Sequence, residues 1–225
     1  INANQEKTTQ SVVANFLTNH DMDRVSSLTK DSNKLRLVAS TTYLLPGTPF
    51  IYYGEEIGMR SMDGVPMIEG SRDRSAERTP MQWGPGQTAG FSTCDPSQLY
   101  LPVDTSPGRP EVEAQINDPE SMLNWTKGLL ELRAKTPALG NTGDWKMVSD
   151  PYKPYPVVYE RFSDDQRYLV LLNPREKPAE IKMGEYVSLE VVWGDAGDLK
   201  VARRGGIMTL KIKGTSSVIC RIINN

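Results

Sequence analysis

Apolar and polar positions follow two different patterns along this chain, and the first part has the pattern of alternating strands and helices. Val12–Leu17 and Pro49–Tyr53 are short apolar runs rich in residues that favour strands. Between them, apolar residues recur every three or four positions over Lys34–Leu45, which is a helical spacing, and Asp31 or Ser32 can cap that helix. The order strand, helix, strand predicts a βαβ unit of a parallel sheet.

A long aperiodic segment and a second helix follow this unit. Residues 57–118 are rich in Gly, Pro, Asp and Arg, and loops of this length in compact domains are usually binding loops or disordered. A helix is predicted over Asp118–Lys135, because apolar residues form one face of it. Asp118 is the expected N-cap, Pro119 suits the first turn, and basic residues occupy the last turn.

Beyond residue 143 the pattern changes to short apolar runs separated by turn residues. The predicted strands are Val157–Phe162, Tyr168–Leu172, Ala179–Met183, Val187–Trp193, Ile207–Ile212 and Ser217–Ile222. Regularly spaced short strands predict an antiparallel β-sandwich. We therefore predict two domains, residues 1–139 and residues 140–225.

Composition narrows the class of protein without indicating an activity. Hydrophobic residues make up 38% of the chain and charged residues 24%, which is typical of folded globular proteins. A net charge of −2 argues against a nucleic-acid partner, and no apolar run reaches the roughly 18–20 residues of a membrane span. The two cysteines, Cys94 and Cys220, have neither a metal-ligand nor a disulfide-framework spacing. The compartment cannot be read from the sequence, with a cytoplasmic location slightly favoured.

The candidate chemistry lies at Asn19, His20 and Asp21, directly after the first predicted strand. His20 is the single histidine of the chain. At the carboxyl end of a parallel strand, a carboxylate and an imidazole can bind sugar hydroxyls or stabilise developing positive charge. The alternative is a turn in which Asn19 and Asp21 only cap backbone groups.

Several segments resemble the α-amylase family of glycoside hydrolases, and they occur in the order that the family has. FLTNHD (Phe16–Asp21) resembles the end of the seventh strand of the family's (β/α)8 barrel, and GTPFIYYGEEIGM (Gly47–Met59) resembles its eighth-strand segment. The remaining segments are similar to the eighth loop and last barrel helix of the oligo-1,6-glucosidase, α-glucosidase and trehalose synthase branch: RTPMQW (Arg78–Trp83), AGFS (Ala89–Ser92), LYLPVD (Leu99–Asp104) and Val112–Arg133.

The resemblance implies a fold class and roles for the site residues. The fold would be α/β plus all-β: the last two βα units of a TIM barrel, followed by a C-terminal antiparallel β-sandwich. Asp21 would be the third acidic residue of the active site and would stabilise an oxocarbenium-like transition state. His20 and Asn19 would contact the same sugar. Arg24 and Arg78 match positions near the substrate, although for Arg24 a surface ion pair is an equal alternative.

Three further residues have competing interpretations. Trp83 is either an aromatic platform for a sugar or an anchor for its loop. Glu55 and Glu56 lie at the end of the second predicted strand, and neighbouring strand residues point to opposite faces. We therefore expect both glutamates to be structural rather than an acid/base pair.

The sequence lacks a recognisable nucleophile and acid/base residue. Retaining glycosidases need two carboxylates about 5 Å apart, and in this family both precede the segment that Phe16–Asp21 resembles. We therefore expect the C-terminal part of a retaining α-glycosidase acting on short α-linked oligosaccharides, inactive alone and prone to self-association because two strands cannot close a barrel. No cofactor is implied; some relatives bind calcium, but Asp31-Ser32-Asn33 is too sparse for an ion site.

Two other classes of protein stay open. In a non-catalytic carbohydrate-binding or interaction module, the aromatic residues of the C-terminal region would form a sugar-binding surface instead of core: Trp145, Tyr152, Tyr155, Tyr159 and Trp193. In a transporter accessory protein, a related barrel would be inactive, but the intact Asn19–Asp21 segment weighs against this. The sequence does not decide between α-1,6 and α-1,4 linkages, or between a hydrolase and a trehalose-forming isomerase.

Overall fold

The computed structural model describes residues 12–68, 74–184 and 188–223. The helices are α1 (Val25–Leu28), α2 (Ser32–Leu44), α3 (Val112–Gln115) and α4 (Met122–Lys135). The strands are β1 (Ala14–Phe16), β2 (Thr48–Phe50), β3 (Asp144–Met147), β4 (Val157–Phe162), β5 (Arg167–Asn173), β6 (Ala179–Met183), β7 (Ser188–Trp193), β8 (Leu199–Arg204), β9 (Ile207–Ile212) and β10 (Ser216–Ile223). Short 3-10 helices span Glu55–Ile57, Ser75–Arg78, Pro96–Gln98, Pro137–Leu139 and Ala196–Asp198.

The first predicted strand, helix and strand are present, although both strands are shorter than predicted. β1 and β2 form a two-stranded sheet. Asp31 caps α2, because its Oδ1 accepts hydrogen bonds from the backbone N–H groups of Asn33 at 2.9 Å and Lys34 at 3.3 Å. These two bonds satisfy donors that the first turn of a helix leaves unpaired. Of the two predicted caps, Asp31 and Ser32, the structure uses Asp31.

The second predicted helix has a different N-terminus. The backbone N–H of Asn124 donates to Ser121 Oγ at 3.1 Å, which makes Ser121 the N-cap of α4. Asp118 instead accepts the N–H of Glu120 at 2.9 Å in the preceding turn. The Ser121 hydroxyl is also fixed by donating to the carbonyl of Gln115 at 2.9 Å. The predicted cap at Asp118 is therefore wrong, because a contact with α3 selects the later of two suitable residues.

The C-terminal region is an antiparallel β-sandwich. Its larger sheet has the strand order β3-β4-β5-β10-β7, and its smaller sheet has the order β6-β9-β8. Neighbouring strands are antiparallel throughout both sheets. Both sheets contribute side chains to one apolar core: Val158, Leu169, Leu171, Met208, Leu210, Ile212, Val218, Cys220 and Ile222. The predicted sandwich is thus present between residues 144 and 223.

Two strands at the sheet edges were absent from the prediction. β3 and β8 are exposed along most of their length. Polar and apolar residues do alternate in β3, but over only four residues, and β8 has just two large apolar residues, Leu199 and Val201. Pairing with β4 and β9 holds them in place. Charged residues such as Lys200 and Arg203 on β8 are typical of edge strands, which they protect from pairing with other chains.

The described residues fall into two compact units. One unit comprises the residues up to Asn15, Arg36–Pro49 and Leu129–Asn225, so it contains the greater part of α2 together with the sandwich. The other comprises Phe16–Leu35 and Phe50–Gly128 and contains every candidate site residue. The domain boundary predicted at residue 139 stays a prediction.

Buried arginines connect helix ends to strands within the sandwich unit. Arg161 is fully buried, and its guanidinium donates to the carbonyls of Leu44 at 2.7 Å and Gly140 at 2.6 Å. Arg133 donates to the carbonyl of Tyr43 at 2.7 Å. Burial lowers the pKa of Arg161 to about 10. Both cations lie at the C-terminal end of α2, where unpaired carbonyls and the helix dipole favour positive charge.

Candidate functional site

The carboxylate of Asp21 is held between two guanidinium groups. Arg74 Nη1 lies 2.9 Å from Asp21 Oδ2, and Arg78 Nη2 lies 2.8 Å from Oδ1. His20 Nε2 lies 3.6 Å from the same Oδ1. The Asp21 side chain is 38% exposed and that of His20 is 64% exposed, so a ligand can reach both. The structure therefore brings together Asp21, His20 and Arg78, three of the residues that the sequence singled out.

The two arginines lower the pKa of the Asp21 carboxyl. Desolvation raises the pKa of this carboxyl, but hydrogen bonds from Arg74 and Arg78 outweigh it and hold the pKa below the ordinary value of 3.8. The charges of Arg74 and His20 act in the same direction. A carboxylate that stays charged near neutral pH suits the stabilisation of positive charge and does not suit proton donation.

Asn19 shapes the turn that presents His20 and Asp21. Its side-chain Oδ1 accepts the backbone N–H of Asp21 at 2.8 Å, and its carbonyl accepts the N–H of Met22 at 3.3 Å. This is an Asx-type turn. The turn interpretation of the segment is thus correct for Asn19, and it is compatible with a functional Asp21, whose side chain stays exposed.

Arg24 is buried beneath this turn. It is 0% exposed, and its guanidinium carbon lies 4.7 Å from the ring centre of Tyr52 and 4.6 Å from that of Tyr53. It donates to the carbonyl of Tyr53 and, at 2.9 Å, to that of Glu77. Substrate contact and a surface ion pair both require an exposed guanidinium. The structure instead gives Arg24 a positioning role, because cation–π contacts and hydrogen bonds tie it to the backbone next to Arg78.

Gly54 allows the chain to approach Arg24 closely. Its φ of 86° is in the left-handed region that favours glycine. A Cβ at this position would lie 2.7 Å from Met59 Sδ and 3.0 Å from Arg24 Nη1. A larger residue would therefore both strain the backbone and displace the buried guanidinium.

Glu55 and Glu56 lie in a 3-10 helix and not at the end of a strand. The expectation that strand geometry points their two side chains to opposite faces is therefore wrong. Glu55 is buried, accepts a hydrogen bond from Thr18 Oγ1, and has its pKa raised by burial despite that bond. Glu56 borders a pocket, and its Oε2 is buried with no hydrogen-bond partner within the described ranges.

The pocket beside Glu56 has a volume of about 380 Å³ and shares Arg78 with the Asp21 site. Its walls are mainly apolar and include Tyr53, Met81 and Trp83. Trp83 is 52% exposed. Its ring therefore faces an open pocket, while its backbone N–H anchors the loop by donating to another carbonyl at 2.8 Å.

Arg74 is the site residue that the sequence did not reveal. It lies directly before the 3-10 helix Ser75–Arg78, so that Arg74 and Arg78 reach the same carboxylate from positions four residues apart. This spacing was the available signal, since residues three or four apart are neighbours on a helical turn. The surrounding segment lacks periodicity, and for this reason no helical turn was predicted there.

The aromatic residues of the sandwich divide between core and surface. Tyr159 is buried, and Trp145 contacts it edge-on with ring centres 6.4 Å apart. Tyr152, in contrast, is 93% exposed. For Trp145 and Tyr159, core packing is the better explanation.

Within the described ranges, no helix combines the length and the apolar character needed to cross a membrane. The same residues contain no group of three or more His, Cys, Asp or Glu side chains arranged to hold a metal ion. In the Asp31-Ser32-Asn33 segment, Asp31 uses its Oδ1 to cap α2.

Comparison with known proteins identifies the family to which the chain belongs. The family model described as the catalytic domain of alpha amylase matches residues 1–142, which is more than half of the chain. This chain belongs to the α-amylase family. The resemblance seen in the sequence segments is thereby confirmed.

Individual relatives cover the chain to different extents. A trehalose synthase/amylase of Mycolicibacterium smegmatis is 39% identical over 112 residues, which is 48% of this chain and 18% of that protein. An oligo-1,6-glucosidase of Parageobacillus thermoglucosidasius is 28% identical over 207 residues, which is 76% of this chain and 36% of that protein. The crystal structure of an alpha-amylase from H. orenii matches with a TM-score of 0.72 and 27% identity, covering 94% of this chain and 40% of that one. The chain spans less than half the length of each.

Proposed function

We propose that this chain is the C-terminal part of a retaining α-glycosidase that acts on α-glucosidic bonds of short oligosaccharides. The observation that carries the proposal is the Asp21 carboxylate, which two arginines hold in place by ion pairs and which remains open to a ligand. In this proposal β1 and β2 are the last two strands of a (β/α)8 barrel, and residues 1–139 belong to it. The named relatives, a trehalose synthase/amylase and an oligo-1,6-glucosidase, support α-linked glucose as the substrate class.

Asp21 acts by electrostatic stabilisation. A carboxylate has about four lone-pair sites, so the bonds from Arg74 and Arg78 leave acceptor capacity for sugar hydroxyls. Positive charge develops on the sugar ring as the glycosidic bond breaks. A fixed negative charge attracts that transition state more strongly than the neutral ground state, and this difference lowers the barrier.

His20, Arg78 and Arg24 assist in different ways. The exposed imidazole of His20 offers a hydrogen-bonding group next to Asp21. Arg78 fixes Asp21 through Nη2 and the turn through Nε, which donates to the His20 carbonyl at 3.0 Å. Arg24 positions the backbone before Arg78 by donating a hydrogen bond to the carbonyl of Glu77. The nucleophile and the acid/base residue come, in this proposal, from sequence outside these residues.

The test is Asp21→Asn in the enzyme with its complete sequence, assayed on maltotriose, isomaltose and an aryl α-glucoside. We expect turnover to fall at least about 10²–10³-fold, the range for losing one preorganised electrostatic group, with unchanged circular dichroism. Asp164→Asn, at an exposed turn of the sandwich, is the matched control and should leave turnover unchanged. Retention of full activity by Asp21→Asn would contradict the proposal.

An assay of the 225-residue chain alone shows whether its own carboxylates are sufficient for catalysis. We expect no turnover above that of Asp21→Asn. Turnover that Asp21→Asn abolishes would mean that carboxylates within this chain perform the acid/base chemistry. Glu55, Glu56 and Glu69 would then be the candidates, the last of which lies outside the described residues.

The carbohydrate-binding alternative makes a separate prediction. A binding module in the sandwich would bind maltotriose with an affinity that Asp21→Asn leaves unchanged and Trp145→Ala abolishes. The edge-on packing of Trp145 against buried Tyr159 favours a core role for that residue.

A further inference from the structure

Another pocket opens between the two sheets of the sandwich, where β3 and β6 form the edges of those sheets. It has a volume of about 510 Å³, which lies within the usual range for small-molecule sites. Its lining belongs to the sandwich unit and shares no residue with the Asp21 site. The lining of this inter-sheet pocket includes Lys146, Met147, Glu160, Arg167, Lys182 and Met183.

The apolar part of the inter-sheet pocket is aliphatic. Ile222 belongs to the sandwich core, and Val148 and Met183 pack against that core while remaining partly exposed. Met147 on β3 adds an apolar side chain that is 44% exposed. None of the described residues that line the pocket is aromatic, so the lining offers no flat ring for stacking. Unbranched methionine side chains adapt to irregular apolar shapes, and this surface therefore suits a flexible alkyl chain.

The charged residues of the inter-sheet pocket make it net positive. Lys146, Arg167 and Lys182 are cations, and Glu160 is the carboxylate among the residues of the lining. Glu160 is already paired, because Arg167 donates to its Oε1 at 2.5 Å and to its Oε2 at 3.2 Å. The Glu160 side chain is only 12% exposed. This ion pair balances the charge of Arg167 and leaves the charges of the two lysines.

Lys146 and Lys182 are both exposed, and neither forms an ion pair within the described ranges. Lys146 lies opposite Glu160 in the register of β3 with β4, but Glu160 accepts its side-chain hydrogen bonds from Arg167. Lysines on edge strands also prevent pairing with other chains. That role does not require an apolar cavity beside them. Two unbalanced ammonium groups next to an aliphatic surface provide both parts of a site for an amphiphilic anion.

We propose that the inter-sheet pocket binds an amphiphilic carboxylate of the fatty-acid class. The alkyl chain lies against Val148, Met183 and Ile222, where its burial removes apolar surface from water. The carboxylate pairs with Lys146 and Lys182, whose ammonium groups form charge-assisted hydrogen bonds. A neutral ligand with the same chain gains only the first contribution, and a short carboxylate gains only the second.

Calorimetry of the 225-residue chain with octanoate, 1-octanol and acetate separates these contributions. Octanoate and octanol share the chain length and differ in charge, whereas octanoate and acetate share the charge and differ in the chain. We expect octanoate to bind at least tenfold more tightly than either, which corresponds to about 1.4 kcal/mol. No binding of octanoate, or an affinity equal to that of octanol or acetate, would overturn the proposal.

Substitutions assign the binding to the inter-sheet pocket. The double variant Lys146→Gln, Lys182→Gln should reduce the affinity for octanoate to that for octanol and leave octanol unaffected. Met147→Ser should weaken both ligands alike, because it removes apolar surface without changing the charge. Lys200→Gln is the matched control, since it removes an exposed lysine from β8, an edge strand whose residues do not line the pocket.

Circular dichroism checks the fold of each variant, and the two single glutamine variants replace the double variant if that one unfolds. Each single variant should also weaken octanoate. Octanoate binding that survives the loss of both lysines, or that falls equally in Lys200→Gln, would overturn the proposal. So would a loss of octanoate binding in Trp83→Ala, because the alkyl chain would then occupy the apolar pocket beside Arg78.

An anionic membrane also presents acyl chains and negative charge, and vesicles of phosphatidylglycerol distinguish it from a free fatty acid. We expect the chain to stay in the supernatant when it is sedimented with such vesicles. Vesicle binding that the lysine variants abolish, together with no binding of free octanoate, would overturn the proposal in favour of a membrane surface. Asp21→Asn should leave the affinity for octanoate unchanged, so this result does not depend on the proposed role of Asp21.

Discussion

The charge and position of Asp21 depend on three arginines in different environments. Arg74 and Arg78 contact its carboxylate directly and lower its pKa. Arg24 has no exposed surface, and it acts through the backbone and rings that it contacts, including Tyr53. The same residue type therefore serves as a charge partner at the surface and as a structural cation inside. Only burial distinguishes the two roles.

Glu55→Gln is expected to remove a pH-dependent loss of stability. Burial raises the pKa of the Glu55 carboxyl above its ordinary value of 4.5, so the folded state binds this proton more tightly than the unfolded state. Its contribution to stability is fully present below pH 4.5 and is lost as the pH rises through the raised folded value. Glutamine stays neutral, and its Oε1 can still accept the bond from Thr18.

Urea unfolding at a series of pH values from 4 to 8 measures this effect. Above pH 4.5, the free energy of unfolding of the wild-type chain should fall relative to that of Glu55→Gln. Glu131→Gln, at an exposed position of α4, is the matched control and should follow the wild type. Parallel pH curves for the wild type and Glu55→Gln would contradict the prediction.

Elements with a buried face were predicted more accurately than elements without one. β4, β6 and β9 have the bounds that the sequence indicated, because each supplies side chains to the sandwich core. β3 and β8 lack such a face and depend on pairing with a neighbouring strand. The predicted start of α4 was too early. The choice between Asp118 and Ser121 as N-cap depends on a contact with α3, which the local sequence does not show.

Ser121→Ala is expected to destabilise the chain by about 1 kcal/mol, the typical cost of losing an N-cap. The Ser121 hydroxyl accepts the N–H of Asn124 and donates to the carbonyl of Gln115, and alanine leaves both without that partner. Asp118→Ala removes a bond in the preceding turn and should cost less. Urea unfolding of both variants provides the comparison, and a larger loss in Asp118→Ala would restore Asp118 as the energetically important cap.

The unit that contains the sandwich also contains most of α2 and the second half of α4. Arg161 on β4 donates to the carbonyl of Leu44 at the end of α2, 117 residues earlier in the chain. Arg133 makes a similar bond to Tyr43, 90 residues earlier. These bonds join the sandwich to a helix that precedes it by about half the chain, whereas the sequence predicts the helix and the sandwich in separate domains.

Arg161→Met is expected to destabilise the chain by at least about 3 kcal/mol. Methionine can fill part of the volume but cannot donate to the carbonyls of Leu44, Gly140 and Gly143. The bond to Leu44 is buried, and the bonds to the two glycines are partly buried. Each buried acceptor left without a partner costs about 1–3 kcal/mol. Thermal and urea unfolding measure the loss, with Arg221→Met at an exposed position of β10 as the matched control. Equal effects of the two substitutions would show that Arg161 is not a structural link.

The linear order of residues was sufficient for the family and the sandwich, and it singled out Asp21, His20 and Arg78 as separate site candidates. Strand alternation, helical spacing and the signature segments are all local properties, so they can be recognised without coordinates. Folding decided the rest: the burial of Arg24, the second guanidinium on Asp21, and the pocket beside Arg78. The contacts of Asp21 and Arg24 join residues more than 50 positions apart: Asp21 with Arg78 at a separation of 57, and Arg24 with Glu77 at 53. No local pattern encodes such contacts, because they exist only where distant loops pack together.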